Sequence, residues 1–538
     1  MKAFATLLDA LSYQPQRNAK LRLLIDYFNA TPDPDRGWAL TALTGGLSFA
    51  QAKPALIRSL IAERTDETLF ALSYDYVGDL AETVSLLWPG GQADAAPSLS
   101  EVIAGLEEGT RASLPGLLTR WLDRLDPTGR WALLKLITGG LRVGVSARLA
   151  KTALATFGER DVNEIEELWH GLTPPYTELF AWLEGRADKP EHALNATFRP
   201  VMLAHPLEAS DYALITPSDY AAEWKWDGIR VQAVSEKGTR RLYSRTGEEI
   251  SHTFPDIVSV LPDGIALDGE LLVKVDGEVG SFSDLQKRLN RKTVSVKLLA
   301  SAPGLIRAYD LLMEDGEDLR PLPFAARRAR LEAWYERTQP LRIDLSGLVP
   351  FDDFSSLTEA RARSADDPSL AGVEGLMLKR KDSAYVPGRP KGPWFKWKRD
   401  PFLIDAVLLY AQRGHGKRSS FYSDYTFGVW TETDEGPGLV PVGKAYFGFT
   451  DEELGEIDKF VRHHTTSRFG PVREVVHTPE EGLVFEVAFE GLQHSTRHKS
   501  GLAMRFPRIH RLRWDKPPRE ADHLDTLKAL LDGKGKTV

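Results

Sequence analysis

The sequence predicts a multidomain chain, with an all-α N-terminal region, an α+β central region and a small C-terminal β-barrel. The first observation is the length of 538 residues, because single domains usually hold about 100–200 residues. The second is a change in apolar spacing, from three and four residues apart before residue 185 to alternation after residue 200. The third is a set of short apolar segments after residue 400. We therefore expect domains at 1–185, 201–400 and 401–515, a linker at 186–200 and a tail at 516–538.

Leucine and alanine dominate the first region, and its apolar spacing is helical. A first amphipathic helix is predicted from four residues on one face: Phe4, Leu7, Leu8 and Leu11. A weak duplication follows, in which WALTALTGGL begins at Trp38 and WALLKLITGGL begins at Trp131. Each copy predicts a helix, a break at Thr-Gly-Gly-Leu and a second helix, since glycine favours the left-handed conformation that ends helices. Two copies indicate a pseudo-symmetric helical domain rather than a solenoid.

The central region begins after residues 188–200, a polar stretch with two prolines that predicts a linker. AEWKWDGIRVQAV and RRLYSR then alternate like strands around a turn at residues 235–238. IALDGELLVKV followed by Asp276-Gly277 predicts a hairpin with a type I′ turn. A helical pattern at residues 324–335 makes this region α+β.

The third region carries the strand-like segments DAVLLYAQ, YTFGVWTE and GLVFEVAFEGL. It has one helical segment, DEELGEIDKFVRHH. Short strands with a single helix are typical of a five-stranded barrel of the OB type. The residues beyond the barrel predict either a tail or a capping helix.

The composition excludes several kinds of chemistry. The chain has no cysteine, so it has no disulfide, thiolate zinc site, iron–sulfur cluster or cysteine nucleophile. The absence of cysteine also fits a reducing cytoplasm. The start of the chain lacks the long apolar stretch of a signal peptide, and no membrane span is predicted.

The charge is unevenly distributed along the chain. The net charge is −8, but residues 376–420 contain 11 Lys/Arg against 3 Asp/Glu, and residues 491–519 contain 8 against 1. An acidic chain with two concentrated basic segments could hold a polyanion on one face. The alternative for either segment is a solvated basic loop.

The central motif is EWKWDGIR, in which Lys225 lies two residues after Glu223 and two before Asp227. A lysine attacks only as the free amine, so a nucleophilic lysine needs cations or burial that lower its pKa. The glycine after Asp227 lets the main chain approach a ligand closely. Lys-x-Asp-Gly is a weak signal in isolation, where a surface turn is the better explanation.

Six further motifs follow in order, and each has a plain alternative as a turn, a hairpin, a buried strand or a basic edge. They are SRTG at 244–247, DGE at 268–270, IRAYD at 306–310, EGLMLK at 374–379, WFKWK at 394–398 and RFPR at 505–508. Together they resemble the motifs of the covalent nucleotidyltransferase superfamily, and most closely those of ATP-dependent DNA ligases. The resemblance spans the whole chain. It implies a helical DNA-binding domain, an adenylation (nucleotidyltransferase) domain and an OB-fold domain.

The resemblance implies that Lys225 attacks the α-phosphate of ATP, expels pyrophosphate and holds AMP as a phosphoramidate. Glu223 would read the adenine amino group. Tyr309 would stack on the base, at a position where many relatives carry phenylalanine. Arg230 and Arg245 would contact the sugar and the phosphates.

The later motifs would complete the site. Glu270 and Glu374 would bind Mg²⁺, with Mn²⁺ as an alternative, or hydrogen-bond the ribose; isolated carboxylates suit a hard cation that retains waters. The residues expected to contact the nucleotide also include Met377, Lys396, Lys398, Arg505 and Arg508. The two lysines would hold the α-phosphate during catalysis and the two arginines would orient the leaving pyrophosphate. Nucleotidyl transfer depends on such positioning and charge neutralisation.

The N-terminal region is expected to determine the substrate. GGLRVGVS at residues 139–146 can present helix N-termini, main-chain amides and Arg142 to phosphates, with a plain helix–helix turn as the alternative. In the third region, Lys417 and Arg418 precede a strand expected to face DNA. We expect a monomer that acts on nicked double-stranded DNA through salt-sensitive contacts to phosphate and sugar. It would be cytoplasmic, and associated with the nucleoid when bound to DNA.

Three rival functions remain open at this stage. The first is RNA joining or guanylylation, which nucleotide choice and duplex preference would distinguish. The second is NAD-dependent DNA joining, although the sequence lacks the cysteine zinc module usual in that branch. The third is a non-catalytic binding module, which would not need Lys225.

Overall fold

The computed structural model describes the chain except for residues 78, 91–94, 191–194, 290, 292, 365–366, 368–369, 371, 415–420, 435, 496–497 and 532–538. The chain divides into two compact units. One contains residues 1–153 and 400–538, and the other contains residues 154–399. The predicted domain boundaries stay predictions.

The N-terminal part of the chain is helical, as the apolar spacing predicts. Its helices are α1 (Lys2–Tyr13), α2 (Arg17–Ala30), α3 (Asp35–Leu43), α4 (Pro54–Ala62), α5 (Glu67–Val77), α6 (Leu80–Leu87), α7 (Leu99–Glu108), α8 (Leu114–Arg124), α9 (Pro127–Thr138), α10 (Ala147–Phe157), α11 (Val162–Leu168) and α12 (Thr177–Leu183). The predicted first helix is confirmed, since α1 buries all four of its predicted apolar residues. No helix among the described residues is long and apolar enough to cross a bilayer.

Both Thr-Gly-Gly-Leu segments lie between helices, as predicted. The first separates α3 from α4, and the second separates α9 from α10. Gly45 and Gly139 have φ values of 78° and 75°, the left-handed conformation that ends a helix. In the second copy Arg142 (φ 50°) and Gly144 (φ 65°) are also left-handed.

The second unit, residues 154–399, contains two sheets of short and long strands. The strands are β1 (His205–Pro206), β2 (Tyr220–Trp226), β3 (Ile229–Glu236), β4 (Thr239–Ser244), β5 (Ile265–Val275), β6 (Glu278–Val279), β7 (Gly304–Glu314), β8 (Glu317–Asp318), β9 (Ile343–Leu345), β10 (Leu348–Val349), β11 (Val373–Arg380) and β12 (Trp394–Lys398). One sheet has the order β1-β12-β11-β2-β10. The other has the order β4-β3-β5-β7-β8, with β6 beside β5 and β9 beside β7.

The helices of this unit after the linker are α13 (Pro255–Val258), α14 (Phe282–Gln286), α15 (Val296–Ser301), α16 (Phe324–Thr338) and α17 (Phe354–Arg363). The α+β prediction for this region is therefore correct at the level of its elements. Both predicted turns are present, because Lys237-Gly238 and Asp276-Gly277 all have positive φ, as a type I′ turn requires.

The C-terminal part, residues 400–538, is mainly antiparallel sheet. Its strands are β13 (Phe402–Arg413), β14 (Tyr422–Thr433), β15 (Gly436–Ala445), β16 (Thr465–Phe469), β17 (Val472–Val475), β18 (Val484–Phe489), β19 (Gly491–His494), β20 (Leu502–Arg505) and β21 (Arg508–Arg513). Strand β13 pairs with β14, β17 and β18, while β15 pairs with β14, β16 with β17 and β21 with β18. Strands β19 and β20 form a separate pair.

Two helices, α18 (Asp451–His463) and α19 (Leu524–Leu531), belong to the C-terminal part. The first covers the segment predicted as helical except for its last residue, His464. The second packs Leu524 and Leu527 into the same apolar core as the strands, so a helix rather than a bare tail follows the sheet. Closure of this sheet into a barrel stays a prediction.

Candidate active site

Strand alternation in the first sheet places the predicted nucleotide residues on one face. Residues two apart in a strand share a face, and paired residues of neighbouring strands lie side by side. Gly375 on β11 lies between Lys225 on β2 and Lys398 on β12. The adjacent row holds Glu223, Met377 and Lys396.

A glycine is required at the centre of the first row. Gly375 has φ 142°, a conformation that L side chains rarely adopt. A β-carbon at this position would also collide with the Trp397 carbonyl oxygen. The glycine therefore lets the main chain of β12 approach β11 closely between Lys225 and Lys398.

Glu374 joins the two lysines of this row. The Lys225 ammonium donates a hydrogen bond to Glu374 Oε1, and Lys398 Nζ lies 3.1 Å from Glu374 Oε2. Burial alone would raise the pKa of Glu374, but the charges of Lys225 and Lys398 outweigh burial and lower that pKa below its usual value. The carboxylate therefore stays ionised and fixes the position of the Lys225 amine, whose side chain is 21% exposed.

Glu270 comes from β5 in the second sheet, where it lies between Arg230 on β3 and Arg307 on β7. Burial raises the pKa of Glu270 to about 8; the charge of Lys225 opposes this shift and the charge of Glu374 adds to it. Among the residues that the structure describes, no donor makes a hydrogen bond to its carboxylate. Glu270 therefore places a carboxyl group that accepts no hydrogen bond from the described residues near Lys225 and Glu374 of the first sheet.

Arg230 is held within the protein. Its guanidinium makes two hydrogen bonds to Asp268, of 2.9 and 2.5 Å, and one of 2.6 Å to the Met202 carbonyl oxygen. Asp268 also accepts from the hydroxyls of Tyr309 at 3.2 Å and Tyr385 at 2.7 Å. The arginine and the predicted base-stacking ring are therefore positioned by one buried aspartate.

Glu223 is 1% exposed and lies between two cations. Lys379 Nζ is 2.9 Å from its Oε2, and Arg328 Nη1 is 3.5 Å from its Oε1. Burial raises the pKa of Glu223, against the opposing charges of Lys379 and Arg328. The Lys379 ammonium also lies 4.4 Å from the centre of the Tyr309 ring, which joins the predicted base-reading and base-stacking residues.

Several cations surround Lys396, whose pKa is lowered by burial and then by the charges of Lys398, Arg389 and Lys225, with Arg245 adding to them. This cluster can hold a polyphosphate, since several positive groups share a small volume. Arg389 is a residue that the sequence analysis missed. It lies between two recognised motifs, and only its place in the basic segment could have indicated it.

The two carboxylates fit a divalent metal. Mg²⁺ commonly binds through one or two carboxylates together with substrate phosphates, and Glu270 is a buried carboxyl group that accepts no hydrogen bond from the described residues. In the described part of the chain no three His, Cys, Asp or Glu side chains form a complete metal cage. The donor set therefore suits a metal that arrives with a polyphosphate.

The remaining predicted residues do not belong to the unit of residues 154–399. Arg142 belongs to the loop between α9 and α10. Arg505 ends β20 and Arg508 begins β21, with Phe506 in a left-handed conformation between them. Lys417 and Arg418 lie outside the described residues. The predicted roles of all five stay predictions.

The family models and the curated relatives that match this chain all point to one family. The model described as ATP dependent DNA ligase domain matches residues 201–398, and that described as ATP dependent DNA ligase C terminal region matches residues 418–516. A probable DNA ligase from Koribacter versatilis is 31% identical, over 98% of this chain and 96% of its own length. DNA ligase 1 from Korarchaeum cryptofilum is 30% identical, over 79% of this chain and 76% of its own.

One solved structure is similar over most of the chain. The structure named Pmar-Lig_PreS3 has a TM-score of 0.59 and covers 95% of this chain and 99% of that one. Its sequence identity is 16%, so the similarity concerns the fold alone.

Proposed function

The chain belongs to the ATP-dependent DNA ligase family and is an enzyme that joins DNA with ATP as substrate, and from this we propose that it seals nicks in duplex DNA through a lysyl-AMP intermediate on Lys225. The observation that supports this most directly is the row of Lys225, Gly375 and Lys398 around Glu374. It presents an oriented amine beside a cluster of cations. A non-catalytic binding module would have no need of this arrangement.

In the first step the Lys225 amine attacks the α-phosphorus of ATP. The Nζ–P bond forms, the bond from the α-phosphorus to the bridging oxygen breaks, pyrophosphate leaves and the amine loses a proton. Lys396 and Lys398 neutralise the non-bridging oxygens of the α-phosphate, with Arg245 and Arg389 contributing positive charge nearby. Glu374 orients the amine before the attack.

Two transfers to DNA complete the cycle. An oxygen of the 5′-phosphate attacks the adenylate phosphorus, and the Nζ–P bond breaks to regenerate the lysine. The 3′-hydroxyl then attacks the 5′-phosphate, forming the phosphodiester bond and releasing AMP together with a proton. The same cations serve all three steps, because in each step negative charge lies on the non-bridging oxygens of the phosphorus under attack.

The same cluster also suits a metal ion and the adenine base. Glu270 and Glu374 would hold Mg²⁺, which when bound supplies further charge neutralisation at the phosphates. Tyr309 would stack on adenine, and Glu223 would accept a hydrogen bond from the adenine amino group. Met377 lies opposite Glu223 on the same face and would contact the base.

The helical region and the sheet of residues 400–513 would hold the DNA. The loop at residues 139–146 offers Arg142 and main-chain amides to phosphates. We propose that the β13–β21 sheet closes as an OB barrel, a closure supported by the 3.1 Å hydrogen bond from Ile509 N to the Phe447 carbonyl oxygen. The enzyme would act as a monomer, in the cytoplasm.

A ligation assay tests the proposal. A duplex with one nick, labelled at the 5′-phosphate, is incubated with ATP and Mg²⁺ and analysed on a denaturing gel. We expect a longer labelled strand and, at early times, a DNA-adenylate that migrates one nucleotide more slowly. Joining of a nicked RNA duplex in preference to DNA, or joining with GTP or NAD but not ATP, would contradict the proposal.

A further inference from the structure

The loop between α9 and α10 has an unusual main-chain conformation. Gly139, Arg142 and Gly144 are all left-handed within six residues. For a long side chain such as that of Arg142 this conformation is strained and persists only where the surroundings impose it.

A lysine from a distant part of the chain binds the back of this loop. Lys20 on α2 donates hydrogen bonds to the carbonyl oxygens of Val143 at 2.5 Å and Gly144 at 3.0 Å. Lys20 is 8% exposed, and burial lowers its pKa. In the part of the chain that the structure describes, no carboxylate forms an ion pair with it. The groups that its positive charge contacts are therefore the carbonyl oxygens of the loop.

The two hydrogen bonds determine where the following amides point. In a trans peptide the carbonyl and the next N–H point in opposite directions. With the carbonyls of residues 143 and 144 turned to Lys20, the N–H groups of Gly144 and Val145 turn away from it. Among the described residues neither N–H has a main-chain or side-chain acceptor. Two successive free amides of this kind form a concave anion site.

Gly144 is matched to the lysine. A β-carbon at residue 144 would meet the Lys20 ammonium at a distance that forces one of them to move, and its φ of 65° is itself unfavourable for other residues. The glycine and the buried lysine therefore depend on each other.

The first copy of the duplication shows a related contact. Lys53 Nζ donates to the Phe49 carbonyl oxygen at 2.8 Å, and Phe49 and Val143 both lie five residues after the threonine of Thr-Gly-Gly-Leu. Lys53 is exposed, follows Phe49 by four residues and contacts one carbonyl. In the second copy the lysine is buried, comes from 123 residues away and contacts two.

We propose that Lys20 is the positioning residue of a phosphate site formed by the amides of Gly144 and Val145 and the side chain of Arg142. Lys20 fixes the loop from behind, and its unpaired charge favours an anion in front. The ligand is a phosphate of the DNA backbone, so this inference rests on the proposed role of the loop in holding DNA.

The test uses the full-length enzyme and a fluorescent nicked duplex with a 3′-dideoxy end, which binds but cannot be sealed. Dissociation constants are measured at several salt concentrations for the wild type and for Lys20→Met. We expect about tenfold weaker binding in the variant and a salt slope smaller by about one phosphate contact. Self-adenylylation should be unchanged, and Lys20→Arg should recover most of the affinity.

Arg130→Met is the matched control. Arg130 is also buried in the helical region and donates to two carbonyls, of Leu122 at 2.7 Å and Trp88 at 3.0 Å. It should lose thermal stability without changing the salt slope. If Lys20→Met does not fold, Gly144→Ala displaces the ammonium from the loop instead and should give the same loss of affinity and slope.

The outcomes separate the inference from the proposed function. Unchanged affinity and slope in Lys20→Met, together with weaker binding in Arg142→Ala, would overturn the role of Lys20 alone. Unchanged binding in both variants would overturn the DNA-binding role of the loop as well. If Arg130→Met had the same Tm as Lys20→Met and lost as much DNA affinity and salt slope, the effect of Lys20 would be one of general structural stability.

Discussion

The proposed nucleotide cleft around Lys225, Glu374 and Lys396 and the proposed phosphate-binding loop at residues 139–146 are built in opposite ways. In the cleft most cations already have an acidic partner, as Lys225 and Lys398 have Glu374 and Lys379 has Glu223. In the loop the positive groups are main-chain amides and Arg142, supported by Lys20, which has no carboxylate partner among the described residues. The cleft is thus a balanced network, whereas the loop is an unbalanced positive surface.

The difference corresponds to two tasks. A site that performs chemistry must hold its amine and carboxylates in fixed positions while a nucleotide enters, reacts and leaves. A site that only holds the DNA backbone needs charge and shape, and it should depend strongly on salt. Changes in the cleft should therefore affect nucleotide transfer and changes in the loop should affect DNA affinity, with little exchange between them.

The largest expected effect is that of Lys225→Ala. Without the nucleophile, attachment of AMP should fall by at least about 10⁴-fold, while affinity for a nicked duplex should stay within about twofold. Labelling with ATP and titration with the duplex measure the two quantities. If Lys225→Ala still carried label, Lys225 would not be the nucleophile and the cleft would not have the role given to it here.

The next effect is that of Glu374→Gln, which removes the charge that orients both Lys225 and Lys398. Misplacement of an amine by about 1 Å can cost about 10²-fold in rate, and we expect a loss of that order in the rate of self-adenylylation. Glu167→Gln, which breaks the ion pair with Arg320, is the control and should leave the rate unchanged. Equal rates for wild type and Glu374→Gln would show that the pairing has no role in the first step.

A smaller effect is expected for Arg142→Ala. One lost phosphate contact should weaken nick binding about tenfold, or ~1.4 kcal/mol, and reduce the salt slope by about one. Self-adenylylation, measured in the same preparation, should not change. A lower adenylylation rate in this variant would show that the loop also affects nucleotide transfer, against the separation of the two tasks.

The smallest effect concerns the stability of the protein without nucleotide or metal. The pKa of Glu270 is raised to about 8, so between the unfolded value near 4.5 and pH 8 the folded state binds the additional proton. Stability should therefore fall as pH rises from 5 to 8. Glu270→Gln should remove part of this fall, by a few degrees in Tm. Identical pH profiles for the two proteins would contradict the raised pKa.

The comparison also shows what the sequence reveals about each region. Lys225 and Glu223 could be placed on one face because alternation along a strand is local. The order of the motifs indicated the family, but not which strands would pair. Arg328 could not be found in this way, because nothing in the α16 sequence distinguishes it from the neighbouring arginines.

Long-range contacts limit the prediction of the loop. Its glycines indicated the left-handed break, and Arg142 indicated a phosphate contact. Lys20 lies in a different helix and has an ordinary sequence context, so only the folded chain brings it to Val143. In both regions, side chains from distant elements provide the charge that local patterns do not show.

The central claim is tested most directly by incubating the purified enzyme, first stripped of AMP with pyrophosphate, with α-phosphate-labelled ATP and Mg²⁺. The account predicts label that survives denaturation, maps to the peptide containing Lys225 and is removed by nicked duplex DNA but not by intact duplex. Label on another residue, or none after pyrophosphate treatment, would contradict it.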